Sequence, residues 1–169
     1  MSGQGELQYG LTDDYFDAVP VADGVALRMS DNAAWVLVTA LDQLVWFLDD
    51  DEVPRRGRFR RTRRPDAVLR DMFPDAVPDG REAAAFRERH AATLRDTAAV
   101  RRVRDRCTRG AEHVIDQDEV DDWIVALGLV RFLYRRRGDA PDEFVVWMNY
   151  VQMMLVATLE PRIAQHPAN

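Results

Sequence analysis

Between Asp31 and Leu48 the chain carries a helical pattern that is apolar on almost every side, and this constrains the fold more than any other segment. Ala34, Leu37, Leu41, Leu44 and Leu48 recur at spacings of three and four. Trp35, Val38, Val45, Trp46 and Phe47 widen the stripe. A helix with so little polar surface belongs at the centre of a bundle, buried by its neighbours. Ser30 or Asp31 stands where an N-cap side chain would accept free backbone N–H groups.

A second segment repeats this design. A shift of 86 positions carries Ser30 onto Asp116 and the five stripe residues onto Val120, Trp123, Leu127, Val130 and Tyr134. Asp116 and Glu119 form a capping-box pattern. The same shift carries Met29 onto Ile115, so a strand, a cap and a helix appear twice in order. A duplication and the common rule for amphipathic helices both account for the echo. Either way, two core helices pack side by side.

Around these helices the chain reads as one mainly α domain. It is a helical bundle of four to five helices with a small antiparallel β-sheet, made of an N-terminal hairpin plus one short strand. The hairpin is Phe16–Val21, an Asp23-Gly24 turn and a strand in which Val25, Leu27 and Met29 alternate with Ala26 and Arg28. The third strand is His113–Ile115. A short helix covers Asp66–Met72, and a long polar one runs from Arg81 to Thr108 with a thin stripe of Ala83, Phe86, Leu94, Val100, Val103 and Cys107. The second core helix should continue to Arg137 and stop at Gly138. Pro141 opens a last helix whose apolar residues include Phe144, Trp147, Met148, Val151 and Leu155. Leu37, Leu41, Leu44, Trp123, Leu127 and Trp147 are the expected core. Residues 1–14 and 162–169 read as tails flanking a single domain over 15–161, with an Arg-rich loop at 51–65.

Composition narrows the function classes. At 47% hydrophobic residues, the 169-residue chain can build a real core. It has no apolar run of about 20 residues for a bilayer span and no basic flank or apolar core for a secretory signal. Its single cysteine rules out an internal disulfide, and the chain reads as cytoplasmic. The net charge of −6 opposes free-standing binding to nucleic acid.

No catalytic or cofactor motif stands out. There is no GxGxxG, P-loop, GxSxG or HExxH pattern. His90, His113 and His166 lack metal-ligand spacing. The acidic run Asp116–Asp122 lacks the glycine and terminal glutamate of a calcium loop, and a helix N-terminus accounts for it. The two serines, Ser2 and Ser30, are a tail residue and a cap. The expectation is a non-enzymatic protein with no metal and no cofactor. A carboxylate site assembled in space is the remaining catalytic alternative.

Charge placement is the distinctive local feature. The chain contains no lysine, and every basic side chain is arginine. Arg55, Arg56, Arg58, Arg60, Arg61, Arg63 and Arg64 crowd one loop around Phe59. They either neutralise the acidic run Asp49–Glu52 or contact an anion, nucleic acid or an acidic partner, with Phe59 as a stacking residue. Arg95, Arg102, Arg106 and Arg109 share a side of the long helix, so loop and helix could form one basic patch. Cys107 lies among these arginines. Nearby cations favour a reactive thiolate, whereas its place on the apolar stripe favours a buried core thiol. The Met-rich last helix, interrupted by Asn149 and Gln152, reads as an adaptable core or as a docking surface for a partner or a second copy.

The order of GVALRM, cap and buried helix, then DAVLRDMFPDA, then EAAAFR resembles an actinobacterial domain-of-unknown-function family that includes the oxidative-stress regulator AosR. The resemblance takes in Gly24–Leu48, Asp66–Ala76, Glu82–Arg95, Val114–Leu133 and Trp147–Leu159. It implies a stress-linked transcription co-regulator, or an adaptor tied to Clp proteolysis or to sulfur and cysteine metabolism. The paired N-terminal cysteines of the redox-sensing member have no counterpart here, since the first 30 residues contain none. The expected partner is therefore a protein of the transcription machinery or of the proteolysis or sulfur pathways. Nucleic-acid contact is a weaker expectation, a homodimer is a further one, and no membrane is involved.

Overall fold

A computed structural model describes residues 14–55, 62–75, 77–135 and 142–159. Strands β1 (Phe16–Val21), β2 (Gly24–Met29) and β3 (Glu112–Ile115) form one antiparallel sheet in the order β1-β2-β3. The helices are α1 (Asp31–Asp50), α2 (Pro65–Met72), α3 (Gly80–Arg89), α4 (Ala91–Leu94), α5 (Ala98–Thr108), α6 (Gln117–Tyr134) and α7 (Glu143–Ala157). The chain is thus mainly helical with a small three-stranded sheet, as its patterning indicates.

The inner sheet face carries Phe16, Ala18, Val25, Leu27, Met29 and Ile115, all buried. Strict alternation puts them on one side of the pleat. Ala22 and Asp23 form the two-residue hairpin loop, so the turn sits one position earlier than Asp23-Gly24. Gly24 begins β2 instead, with φ of 148°.

The two core helices follow the echo closely. Ser30 Oγ accepts the Ala33 N–H at 3.0 Å, and Asp116 Oδ1 accepts the Glu119 N–H at 2.9 Å. All ten stripe residues of α1 and α6 are buried. The strands share the relation. β2 and β3 pair so that Leu27 faces His113, its own counterpart under the same shift, with Val25 facing Ile115 and Arg28 facing Glu112. Gly24 and Gly110, also counterparts, both take positive φ, 148° and 135°. Within this ladder the counterpart strands are thus related by a local two-fold axis through the Leu27–His113 pair.

Four expectations need correction. The long helix Arg81–Thr108 is broken into α3, α4 and α5. Asp96 Oδ1 accepts the Ala98 N–H at 2.9 Å, a local bond that competes with the helical ladder and restarts the chain at α5. Helix α6 ends at Tyr134, earlier than Arg137. There Arg63 Nη1 donates to the carbonyls of Phe132 at 3.1 Å and Arg135 at 2.8 Å, occupying acceptors that another turn would use. Finally, α1 is not buried all round: Trp35 is 49% exposed and Trp46 51%. Its buried positions cover most of the circumference, but both indoles fall on the side left half exposed. Trp147 is only partly buried, with its Nε1–H donated to the Asp14 carbonyl at 3.0 Å.

Candidate interaction surface

Helix α5 shows how local sequence decides which charges remain available. Val100, Val103 and Cys107 recur at spacings of three and four and are buried, giving the helix a narrow apolar footing. The arginines between them flank that footing and reach to both sides. Arg104 Nε meets Asp42 at 2.7 Å, and Arg101 Nη2 meets Asp49 at 2.8 Å, both on α1. Arg102 Nε meets Asp122 at 2.7 Å, and Arg106 Nε meets Glu119 at 2.6 Å, both on α6. The hydrogen bonds that Arg104, Arg102 and Arg106 donate to Asp42, Asp122 and Glu119 push the three guanidiniums above the ordinary arginine value. Just before α5, Arg95 donates to the Leu48 carbonyl at 3.0 Å and to Asp51 at 2.8 Å, closing the C-terminal end of α1.

The arginines expected to form one patch are therefore divided. Arg102 and Arg106 face carboxylates at the start of α6. Arg63 binds its far end, roughly 20 Å away by helical rise, and pairs with Asp71 at 2.5 Å. Arg95 is bonded to the C-terminal end of α1, and Arg109 is exposed at the C-cap of α5. Arg55 is exposed, as is Arg64, which stands 3.8 Å from Asp66. Arg64 and Arg70 line an open hollow of about 280 Å³ with Asp66 and Ala67. Arg56, Arg58, Phe59, Arg60 and Arg61 lie outside the described residues.

Cys107 sits beneath α5 at 3% exposure. Burial pushes its thiol up to about 12, because a thiolate there would lose its hydration. The neighbouring guanidiniums point outward to their carboxylates. His90 is exposed beside the Phe86 ring, and His113 Nε2 lies 2.7 Å from the Gly110 carbonyl. His166 is outside the described residues. Among the described residues, no three His, Cys, Asp or Glu side chains gather as a metal site.

Large apolar residues are exposed on α7 and α1, and singly or in pairs on the sheet (Val19, Val21, Val114), α3 (Phe86) and α6 (Val125). On α7, Val146, Tyr150, Met153 and Val156 are exposed along one side, while Phe144, Met148, Val151 and Leu155 fill the core. No charged side chain occurs from Phe144 to Ala157. Gln152 faces inward, donating to the Ile124 carbonyl at 3.0 Å and accepting from Arg131 at 2.5 Å. On α1, Trp35 and Trp46 stand out from the helix. In sequence both widen the apolar stripe of a helix expected to be buried on most sides. The signal it passed over is polar punctuation at one-turn spacing around them, in Asp31, Thr39, Asp42 and Asp50.

No helix among the described residues is long and apolar enough to cross a membrane. No curated protein and no solved structure matches the chain. A family model described as a domain of unknown function (DUF2017) matches residues 16–159. That span opens on the first residue of β1 and closes just past α7, so it takes in every element of the sheet and bundle. The chain belongs to the DUF2017 family.

Proposed function

We propose that this chain is a non-enzymatic regulatory protein that works by docking other proteins. One observation carries the reading: the solvent side of α7 presents Val146, Tyr150, Met153 and Val156 with no charge among them. Large apolar side chains grouped on one side of a helix mark contact surfaces, and methionine adapts to the shape of a partner. The division of the arginines among internal carboxylates supports protein over nucleic acid as the partner. An adaptor role in proteolysis or sulfur metabolism fits this form.

The test is a crosslinking pull-down from the native host, comparing the wild-type chain with Met153→Asp. A nuclease-insensitive protein partner, recovered by the wild type and lost with the variant, supports the reading. Equal recovery by both, or recovery abolished by nuclease, counts against it.

A stress-linked transcription role is a second reading. It draws on the resemblance to the family that includes AosR and on the exposure of Arg55 and Arg64. It requires promoter binding, alone or with RNA polymerase, that weakens steeply with salt. Salt-independent binding, or none, counts against it.

A further inference from the structure

We propose that the exposed face of α1 is a second docking surface, built for an arginine-bearing segment of a partner protein. This rests on the reading of the chain as a protein-docking module and names the chemistry of one partner.

The face has an ordered composition. Trp35 and Trp46 lie 11 positions apart, three helical turns, so their indoles project from one side about 16 Å apart. Each is half exposed, at 49% and 51%. One turn outside each indole stands an exposed carboxylate, Asp31 before Trp35 and Asp50 after Trp46. The order acid, indole, indole, acid therefore reads the same in both directions. Between the indoles lie Thr39, whose hydroxyl is donated to the Trp35 carbonyl at 2.9 Å, and Asp42, held by Arg104. Asp49, nearby, is held by Arg101. Among the described residues, the carboxylates beside the indoles that form no ion pair are thus the outer two.

That arrangement suits guanidinium. Its planar face stacks on an indole, while its N–H edge remains free for a carboxylate. An indole with a carboxylate one turn away supplies both surfaces to one side chain. A phosphate backbone is repelled by the same face, and a purely apolar partner would leave Asp31 and Asp50 desolvated and unmatched. The partner is therefore a segment with two arginines set to span the two indoles. The symmetric order lets it bind in either chain direction.

The test follows the four indole N–H signals of the full chain by NMR during titration with a twelve-residue arginine–glycine peptide. The same peptide with citrulline in place of arginine is the comparison. The expected result is movement of the Trp35 and Trp46 signals with arginine only, while those of Trp123 and Trp147 stay in place. Affinity should fall at least about fivefold in Trp35→Gln/Trp46→Gln and in Asp31→Asn/Asp50→Asn. It should change less than about twofold in Asp118→Asn/Asp121→Asn, which removes the same charge from exposed positions on α6. Equal losses in both aspartate pairs, or unchanged affinity without the indoles, would mean diffuse attraction to an acidic chain and overturn the proposal. Concentration-dependent movement of the same two signals without peptide, lost when Arg55 and Arg64 become serine, would make a second copy the occupant and overturn it too. A negative titration beside a successful α7 pull-down removes this surface alone.

Discussion

Gly24 passes so close to Ile115 that a Cβ built on the glycine would stand 2.0 Å from the Ile115 carbonyl oxygen. The neighbour is backbone at the end of β3, where Asp116 caps α6, so it cannot swing aside. Gly24 also holds φ at 148°, which other residues rarely adopt. Its counterpart Gly110 has φ of 135° with open space around the missing Cβ. Gly24→Ala should therefore cost more than about 2 kcal/mol, and Gly110→Ala about 1 kcal/mol, from strain alone. Urea midpoints of the two variants check this, and equal midpoints would disprove the role of the close approach.

Arg63 joins three pieces of chain, through Asp71 after it and the Phe132 and Arg135 carbonyls at the end of α6. Its side chain is mostly buried. Arg63→Ala should lower stability by about 2 kcal/mol, as expected for losing bonds to a partly buried charged group. Arg63→Lys should recover little, because a single ammonium cannot reproduce the fork. Chemical denaturation of both variants decides the point; full recovery by lysine would argue for charge alone.

Cys107 supplies a pH dependence with a definite sign. Its folded value is raised from 9.0 to about 12. Well below pH 9 the thiol is protonated in both states, and its contribution is intact. As pH rises from 9 toward 12, the unfolded chain releases the proton while the folded chain retains it, so stability falls. Relative to Cys107→Ala, the wild type should lose stability progressively between pH 8.5 and 10.5. Native-state alkylation of the thiol should be slow and should track opening of α5. Parallel pH curves for the two proteins would contradict the burial argument.

Helix α5 rests on three small apolar side chains and is flanked by ion pairs to both neighbours. Pairs of this kind are each weak when exposed and are screened by salt. Raising salt from about 0.05 to about 1 M should therefore speed amide exchange in α5 while leaving the middles of α1 and α6 unchanged. Uniform acceleration across the three helices would show that α5 has no independent opening.

The sequence disclosed most about elements whose partners are apolar and periodic. Leu37, Leu41 and Leu44, with Trp123, Leu127 and Val130, announce their burial by spacing alone. It disclosed least where a residue's role depends on something distant in the chain. The carboxylates that hold the α5 arginines come from Asp42, Asp49, Asp122 and Glu119, so a cationic face in sequence becomes a set of internal contacts in space. The break before α5 depends on one side-chain bond from Asp96, which no helix propensity registers. The expectation that α1 is buried on most sides fails at Trp35 and Trp46, because hydrophobicity counts tryptophan as interior, whereas the acidic residues one turn away mark an outward strip.

The cationic partners around α5 are all guanidiniums, and lysine is absent from the sequence. These 169 residues therefore offer no ε-amino group to the enzymes that acetylate, methylate or conjugate lysine, and no side chain of the fold can be tagged by such chemistry.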